Sequence, residues 1–380
     1  MKKLILGKQS IRLGRGAIDS LKEIQKKRVF IVTGGQSMFK NGTISRMEAL
    51  LNETGCDTLV YSGVSKNPDT QAVIDGVEKM RQFNPDIIIG VGGGSPIDAA
   101  KVMALFYDYP QINFENALTT ELPEALRTLQ FIAIPSTSGT GTEVTKAAVI
   151  TFKEKNLKIG LKTEAFIPHL AILDGELTMT MPQNIVAETG MDAMTHAVEC
   201  YLNRNLDDFS EALAQSAITG LFEYLPISYL DKTAESREKV HHYQCMAGLA
   251  FGNVGLGMVH GIAHAFGGMF DLGHGLLNAV ALPYVLEFNA RDAGIKARLQ
   301  RLSGQLGGKE FISAVRELNE KLNIPRSFKE VGISQEQFEG AFSQLVENSM
   351  KGSTRVNPVP VTEEEMAQLL RAIFEGKDIL

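Results

Sequence analysis

The stretch that decides the fold is Asp86-Ile87-Ile88-Ile89-Gly90-Val91-Gly92-Gly93-Gly94-Ser95-Pro96-Ile97-Asp98-Ala99-Ala100-Lys101. Its first part is continuously apolar, as expected of a strand covered on both faces of a parallel sheet. Three glycines follow, then a serine at a predicted N-cap and a proline at the first predicted helical position. Glycines let backbone N–H groups approach a phosphate, and a helix N-terminus favours negative charge. A tight turn alone would need only one or two glycines, so the stretch favours an anion-binding loop between a strand and a helix.

Strands and helices alternate on both sides of this stretch. Apolar, β-branched runs predict strands over 28–33, 58–61, 86–91 and 131–134, with shorter ones over 147–152, 158–161 and 170–174. Apolar residues at helical spacing predict a helix over 70–83. This rhythm predicts a doubly wound, mostly parallel sheet.

The second half of the chain is different, because strand signals nearly stop after about residue 180. Segments rich in Ala, Leu, Met, Glu and Gln predict helices over 183–204, 208–228, 235–251, 255–269, 276–291, 296–306, 309–322 and 362–375. We therefore predict an α/β plus all-α fold. Residues 1–180 would form a dinucleotide-binding domain, and residues 181–380 an all-helical metal-binding and catalytic domain.

Composition excludes several classes of protein. The 380 residues carry a net charge of −6, which disfavours nucleic acid as a partner. No apolar run is long enough to span a membrane, and the apolar stretch at the N-terminus is too short for a secretory signal. Three scattered cysteines (Cys56, Cys200 and Cys245) argue against a disulfide framework. We expect a cytoplasmic protein.

A second loop, Pro135-Ser136-Thr137-Ser138-Gly139-Thr140-Gly141-Thr142-Glu143, follows the predicted strand 131–134. Its hydroxyl groups suit hydrogen bonds to phosphate, ribose or nicotinamide, although serine-rich loops are often only turns. Two such loops after strands of one sheet converge on its carboxyl edge, where open α/β folds bind ligands. The sequence lacks Gly-x-Gly-x-x-Gly and the Lys-Ser/Thr ending of a P-loop, so neither a standard Rossmann nor an ATPase site fits.

Histidines concentrate in the helical half, where six of the seven fall between residues 196 and 274. Asp192 and His196 are four residues apart and share a helix face, as do His260 and His264, and His274 follows in a loop or helix start. One divalent cation would pair these buried groups, and a mixed N/O set suits Fe(II) or Zn(II) better than Mg or Ca. Separate core histidines are the alternative. Spacing alone nominates the 192/196 and 260/264 pairs and leaves His274 aside.

Taken in order, these motifs resemble the iron-containing, or group III, alcohol dehydrogenase family over nearly the whole chain. The motifs are Asn67-Pro68, Gly92-Gly93-Gly94-Ser95 with Asp98 and Lys101, Pro135 to Glu143, Gly190-Met191-Asp192-Ala193-Met194-Thr195-His196, and Gly255 to Gly275. The resemblance implies a dinucleotide-binding α/β domain, a helical domain and an active site in the cleft. It implies the metal ligands Asp192, His196, His260 and His274.

The resemblance also implies hydride transfer between a nicotinamide and an alcohol or aldehyde carbon, with the metal as Lewis acid. The cofactors would be Fe2+, with Zn2+ or another divalent metal as alternatives, and NAD(H) or NADP(H). His264 would be a non-ligand near the substrate, and we hypothesise that it relays the proton. The expected dinucleotide-binding residues are Gly34, Gly35, Ser37, Asn67, Gly92, Gly93, Gly94, Ser95, Asp98, Ser136, Thr137, Thr140, Thr145 and Lys158.

The chain departs from the family pattern in two places. NAD-preferring members often end the first strand with an acid, whereas this one continues Thr33-Gly34-Gly35-Gln36-Ser37, with Lys40 nearby. Ser37 or Lys40 would suit a 2′-phosphate, although the missing acid excludes neither cofactor. Many relatives also have a proline beside His274, where this chain has Phe270-Asp271-Leu272-Gly273. Short-chain alcohols, diols, hydroxy acids and sulfonated or other anionic aldehydes all stay open as substrates.

Three other functions are compatible with these motifs, and the helical half also suggests an assembly state. A zinc glycerol dehydrogenase-like enzyme or a dehydroquinate synthase-like lyase would share the fold. The lyase needs several basic residues for its anionic substrate, and the segments around the proposed ligands offer none. A catalytically silent nucleotide-binding protein is the third alternative. It is disfavoured because burying Asp and His without a metal to pair them would cost free energy. Long helices with small residues also suit a homodimer or larger homo-oligomer.

Overall fold

The structure is a computed structural model that describes residues 3, 4, 6, 9–152 and 157–378, with the backbone alone described at 157 and 158. The chain divides into two compact units, Met1–Met181 and Pro182–Leu380. The strands are β1 (Ser10–Leu13), β2 (Arg28–Gly34), β3 (Asp57–Val64), β4 (Ile87–Gly92), β5 (Gln130–Pro135), β6 (Ala147–Phe152), β7 (Leu157–Lys162) and β8 (Leu170–Leu173). The helices of the first unit are α1 (Ser37–Lys40), α2 (Thr43–Glu53), α3 (Thr70–Phe83) and α4 (Gly94–Asp108).

Six strands of the first unit form one parallel sheet in the order β1-β8-β5-β4-β2-β3. Alternate residues of β2 enter two separate hydrophobic clusters, with Phe30 and Val32 in one and Val29 and Ile31 in the other. Both faces of the sheet are therefore covered, which explains why its central strands read as continuous apolar runs. β6 and β7 pair separately and antiparallel.

The described residues of the second unit form helices joined by loops and contain no strand. Its helices are α5 (Gln183–Leu202), α6 (Asp208–Leu230), α7 (Ala234–Val254), α8 (Met258–Phe270), α9 (His274–Asn289), α10 (Ala293–Gln305), α11 (Phe311–Lys321), α12 (Gln335–Ser349) and α13 (Glu363–Glu375). The predicted fold class, an α/β domain followed by an all-helical one, is confirmed.

Several local predictions were wrong. β1 was missed because it is a four-residue edge strand with mostly exposed side chains. α12 was missed although Ser334 and Gln337 form a capping box at its start. The predicted helix 255–269 begins later, at Met258, because Gly255 ends α7 with a φ of 106°.

The start of α4 also differs from the sequence prediction. Gly93 is its N-cap, so the helix begins two residues before Pro96 and Ser95 is not the cap. The Ser95 hydroxyl instead donates a hydrogen bond to the carbonyl of Lys66. Because Lys66 follows β3, this contact ties the chain after β3 to the glycine loop after β4.

Within the described residues, no single helix combines the length and apolar composition needed to cross a membrane, and only α7 and α8 together, bent by 101°, satisfy that test.

Candidate metal centre and nucleotide site

The predicted nucleotide-binding loops of the first unit lie at one edge of its sheet. β3, β2, β4 and β5 are parallel neighbours, so their carboxyl ends are at the same edge. Gly35 and Ser37 follow β2, Asn67 follows β3, and Gly93 to Ser95 follow β4. β3 and β4 lie on opposite sides of β2, which places a topological switch point between β2 and β4. Open α/β sheets bind ligands at such a point.

The two predicted loops pack directly against each other. A Cβ atom added to Gly94 would lie 3.0 Å from Cγ2 of Thr140, and one added to Gly93 would lie 3.5 Å from Cγ2 of Thr137. A side chain at Gly94 would therefore crowd Thr140, whereas one at Gly93 would make an ordinary contact with Thr137. Ser136 is buried, whereas Thr137 and Thr140 are half-buried.

A buried lysine, Lys101, anchors the hydroxyl-rich loop. Its Nζ donates to Thr142 Oγ1 at 2.8 Å, to the carbonyl of Thr145 at 2.9 Å and to the carbonyl of Ala147 at 2.7 Å. Burial lowers the pKa of Lys101 to about 8, although the charge of Asp98 opposes this shift. Lys101, known from the sequence only as part of a motif, therefore braces the hydroxyl-rich loop in the structure.

Two predicted cofactor ligands share this brace. Asp98 accepts hydrogen bonds from the Thr142 hydroxyl and from the backbone N–H of Val149, 2.9 Å away. Thr145 contacts Lys101 through its carbonyl. Asp98 and Thr145 therefore shape the loop through contacts within the protein. The side chain of Lys158 lies outside the described residues.

Three helices of the second unit assemble the proposed metal ligands. Asp192 and His196 lie on α5, His260 lies on α8, and His274 is the first residue of α9. Asp192, His196 and His260 are buried, and the side chain of His274 is 37% exposed.

One carboxylate oxygen is central to this group. Oδ1 of Asp192 lies 4.0 Å from Nε2 of His196, 3.8 Å from Nε2 of His260 and 3.9 Å from Nε2 of His274. Asp192, His260 and His274 each offer a ligand atom within 4.8 Å of the others. His196 is not part of this group of three and stacks on His260, with ring centroids 4.6 Å apart. Bonds to Zn2+ are about 2.0–2.2 Å long, so neighbouring ligand atoms of a tetrahedral ion lie about 3.4 Å apart. The three Asp192–histidine separations are about 0.5 Å wider, so a small inward movement of these side chains would bring them to coordination distance.

Asn278 of α9 shows that these ligand atoms present lone pairs. Its Nδ2 lies 2.7 Å from Oδ1 of Asp192, 3.2 Å from Nε2 of His260 and 3.1 Å from Nε2 of His274. An amide N–H group can only donate, so it stands in for a cation among these atoms. Oδ1 of Asn278 is buried with no hydrogen-bond partner among the described residues. The donor set therefore fits a divalent metal.

Electrostatics favour neutral imidazoles at this centre. Burial and the neighbouring His196, His274 and His264 hold the pKa of His260 well below its ordinary value. A metal ligand must be unprotonated, so this shift prepares His260 for coordination. Burial also raises the pKa of Glu199 to about 8, although hydrogen bonds from Gly257, Val259 and His260 act to lower it. A cation held by Asp192 would counteract that increase by attracting the carboxylate charge.

His264 has a different environment from the proposed ligands. Its side chain is exposed, and its ring stacks on His274 with centroids 4.8 Å apart and planes inclined by 12°. His264 and His260 share a face of α8, as their spacing predicted, with ring centroids 6.1 Å apart. His264 therefore lies beside the group.

Sequence reasoning gave no role to two residues at this centre, Glu199 and Asn278. Glu199 follows His196 by three residues, and Asn278 follows His274 by four, so both positions lie on the ligand-bearing faces of their helices. That spacing was the available signal.

Comparison with known proteins gives a consistent match over both units. Residues 8–175 match the family model described as iron-containing alcohol dehydrogenase. Residues 186–374 match the model for the C-terminal part of the Fe-containing alcohol dehydrogenase family.

Individual relatives extend over the whole chain. An NADPH-dependent butanol dehydrogenase from Clostridium saccharobutylicum is 38% identical over 380 residues, which cover 98% of each protein. An alcohol dehydrogenase from Thermococcus barophilus is 35% identical and aligns over 97% of this chain and 98% of its own. The solved structure of an iron-containing alcohol dehydrogenase from Thermococcus thioreducens superposes with a TM-score of 0.91 at 34% identity, over 99% of this chain and 100% of that one.

Proposed function

The chain belongs to the iron-containing alcohol dehydrogenase family, and from that premise we propose that it reduces short unbranched aldehydes to primary alcohols with NADPH. It is an NAD(P)H-linked oxidoreductase that acts on CH–OH donors. Beyond this activity, we propose the class of aldehyde, the preference for NADPH over NADH and the residues that bind the dinucleotide and the metal. We assign the dinucleotide to residues 1–180 and the metal to residues 181–380.

One observation carries the proposal, namely the position of Asp192 Oδ1 within 4.0 Å of three imidazole Nε2 atoms. Three nitrogen ligands and one oxygen ligand suit Fe(II) or Zn(II) better than Mg2+ or Ca2+. We assign Asp192, His196, His260 and His274 as the ligands. When bound, the metal supplies a Lewis acid for the carbonyl oxygen, and the nicotinamide supplies the hydride.

The chain itself must supply a proton to the product alcohol. His264 is exposed and stacks on His274, so it lies beside the proposed ligands and remains open to solvent. An imidazole titrates near neutral pH and can therefore hold and release a proton under ordinary conditions. We assign this role to His264.

NADPH is favoured by the loop after β2. Ser37 and Lys40 are exposed there, and Gly34-Gly35-Gln36-Ser37 contains no acid that would repel a 2′-phosphate. A hydroxyl and an ammonium group are suitable donors to a phosphate. The Clostridium relative is described as NADPH-dependent, which supports the same preference.

We further propose a cytoplasmic homo-oligomer. None of the three cysteines forms a disulfide and all three are buried, as suits a reducing compartment. β1 is an edge strand that pairs with β8 on one side, and Leu13 at its end is 61% exposed. Such an edge offers backbone groups and apolar surface to a second copy. Light scattering of wild type and Leu13→Arg tests this, and a monomeric wild type would contradict it.

The activity is tested by anaerobic oxidation of NADPH and NADH with propanal, butanal and a charged aldehyde. We expect the fastest turnover with NADPH and butanal, loss of activity after chelation and recovery with Fe(II). Turnover by demonstrably metal-free protein would contradict the metal assignment. Preference for the charged aldehyde would contradict the substrate class, and absence of turnover with every aldehyde would favour a lyase or a silent nucleotide-binding protein.

A further inference from the structure

A buried carboxylate, Glu199, contacts a proposed metal ligand from the side opposite to the metal. Glu199 lies on α5 with 6% of its surface exposed. Its Oε2 is 2.6 Å from Nδ1 of His260, whereas the other ring nitrogen, Nε2, is 3.8 Å from Oδ1 of Asp192. The imidazole of His260 therefore bridges Glu199 and the group of ligand atoms.

Backbone amides fix the carboxylate oxygens as acceptors. Oε2 accepts the N–H of Gly257 at 3.0 Å, and Oε1 accepts the N–H of Val259 at 2.7 Å. Both amides belong to the start of α8, where unpaired N–H groups and the helix dipole favour an anion. A charged Glu199 therefore has a stabilising partner for each oxygen.

The chain leaves space for this carboxylate at Gly257. A Cβ atom there would lie 2.8 Å from Oε1 of Glu199, closer than side-chain contacts allow. The φ of Gly257 is −146°, which other residues also adopt, so the constraint is space and not backbone conformation. Oδ1 of Asn357 would lie 3.1 Å from the same Cβ, so glycine at this position is explained by the approach of Glu199 first and of Asn357 second.

The structure assigns Glu199 as the positioning residue that holds His260 in the tautomer able to bind metal. By accepting the Nδ1–H of His260, Glu199 leaves the lone pair on Nε2, which faces Asp192. Asn278 agrees with this tautomer because its Nδ2 approaches Nε2 at 3.2 Å as a donor. Partners of this kind fix the orientation of a ligating imidazole and raise its basicity. The assignment rests on the metal site proposed above.

The competing explanation is that Glu199 only caps α8, and Asn357 provides a matched control for it. Oδ1 of Asn357 accepts the N–H of Met258 at 3.2 Å, at the same helix start. Its other side-chain hydrogen bonds within the described residues go to Asn289 and Val359. Removing Asn357 therefore weakens the start of α8 without removing a partner of His260.

Glu199→Gln is the informative substitution because glutamine keeps the size of the side chain. In glutamine an NH2 group replaces one of the two carboxylate oxygens. In the first orientation it replaces Oε1 and faces the N–H of Val259. In the second it replaces Oε2 and faces both the N–H of Gly257 and Nδ1 of His260. In the second orientation the imidazole must accept at Nδ1, so its proton moves to Nε2 and blocks the metal position. Gly257→Ala tests the same contact differently, since its Cβ displaces the carboxylate and leaves the charge unchanged.

The experiment measures metal affinity of the full-length chain by titrating Co(II) or Zn(II) into metal-free protein against a chromophoric chelator. We expect Glu199→Gln and Gly257→Ala to weaken metal binding by about 10–100-fold. Asn357→Ala should lose as much thermal stability as these two variants but weaken metal binding by less than about threefold. Ring 15N shifts of His260 should show the change of tautomer in Glu199→Gln. Equal weakening by Asn357→Ala, or an affinity unchanged in both Glu199→Gln and Gly257→Ala, would overturn the role of Glu199. A wild-type protein that binds neither ion would instead overturn the metal site itself.

Discussion

Asn278 donates a hydrogen bond from Nδ2 to Oδ1 of Asp192 across 2.7 Å. The carboxylate at the centre of the ligand group is therefore oriented by a residue of a different helix. An amide at this position keeps Asp192 pointing toward the imidazoles and is itself buried. The same amide nitrogen lies against Nε2 of His260 and of His274, so it must withdraw when a cation binds these atoms.

We expect Asn278→Ala to strengthen metal binding by about tenfold, the value of one hydrogen bond to a charged group, because the amide no longer competes with the ion for Asp192, His260 and His274. Asn319→Ala is the matched control. Asn319 is also buried, and it donates to the carbonyl of Ala279 on the same helix at 2.7 Å, away from the ligands. Both variants should lose about 1–3 kcal/mol of unfolding free energy, and calorimetric titration of the metal separates them. Equal metal affinities in the two variants would contradict the role of Asn278.

His274 and His264 should respond differently to substitution although their rings stack. His274→Ala removes a proposed ligand, so the purified protein should contain little metal. His264→Ala should keep one metal ion per chain and lose about 100-fold in kcat, the scale of a general acid. Elemental analysis and steady-state rates measure the two outcomes. The reverse pattern, with metal lost only in His264→Ala, would show that the ligand assignment is wrong.

Cofactor preference should depend on the exposed residues after β2. Lys40→Ala removes a cation, and Ser37→Asp introduces an acid that repels a 2′-phosphate and favours the free ribose hydroxyls. We expect each variant to lower kcat/KM for NADPH by about 10–100-fold, the value of one charge-assisted hydrogen bond. NADH serves as the control within each variant, since its kcat/KM should stay within about threefold for Lys40→Ala. A parallel loss with both cofactors would place these residues away from the 2′ position.

Lys101 should contribute strongly to the stability of the first unit. Lys101→Met leaves the carbonyls of Thr145 and Ala147 without their donor inside the protein. We expect a loss of about 2–4 kcal/mol of unfolding free energy, because buried acceptors without partners are costly. Lys22→Met is the control, since Lys22 is 52% exposed and pairs with Glu53 at the surface. A surface pair of that kind contributes less than about 1 kcal/mol. If Lys101→Met also lost less than about 1 kcal/mol of unfolding free energy, the bracing role would be contradicted.

The stability contributed by Lys101 should also depend on pH. Burial lowers its pKa from 10.5 to about 8 in the folded protein. Between these two values the unfolded chain holds the proton more often than the folded one, so unfolding takes up protons and stability rises with pH. The stability difference between wild type and Lys101→Met should therefore increase from about pH 8 to about pH 10. Urea unfolding across this interval measures it, and a difference that shrinks with pH would show that the lysine stays charged when buried.

The sequence predicted the central strands well, because burial on both faces leaves an apolar run that few other structures produce. β4 and α3 were predicted within a residue of their observed bounds. The exposed edge strand β1 carries no such pattern, since it is short and only one side pairs. Helix boundaries near glycine were the other weak point, as at Gly255 and Gly93.

The metal centre was only partly accessible to sequence reasoning. The spacing of Asp192 and His196 identified one helix face, whereas the spacing of His260 and His264 nominated His264 over His274. His274 approaches Asp192 because α9 packs against α5, and packing between distant helices leaves no local signal. Glu199 and Asn278 share this difficulty, since their contacts to His260 and Asp192 cross from one helix to another.

Because α5, α8 and α9 each provide part of the metal group, the ion would connect residues as far apart in the chain as Asp192 and His274. His274 is the most exposed of the proposed ligands and begins its helix, where hydrogen bonding is weakest. Fraying of that first turn is then the shortest route by which the ion leaves. The half-life of the metal-loaded enzyme would follow the opening rate of one helical turn and not the unfolding rate of the whole domain.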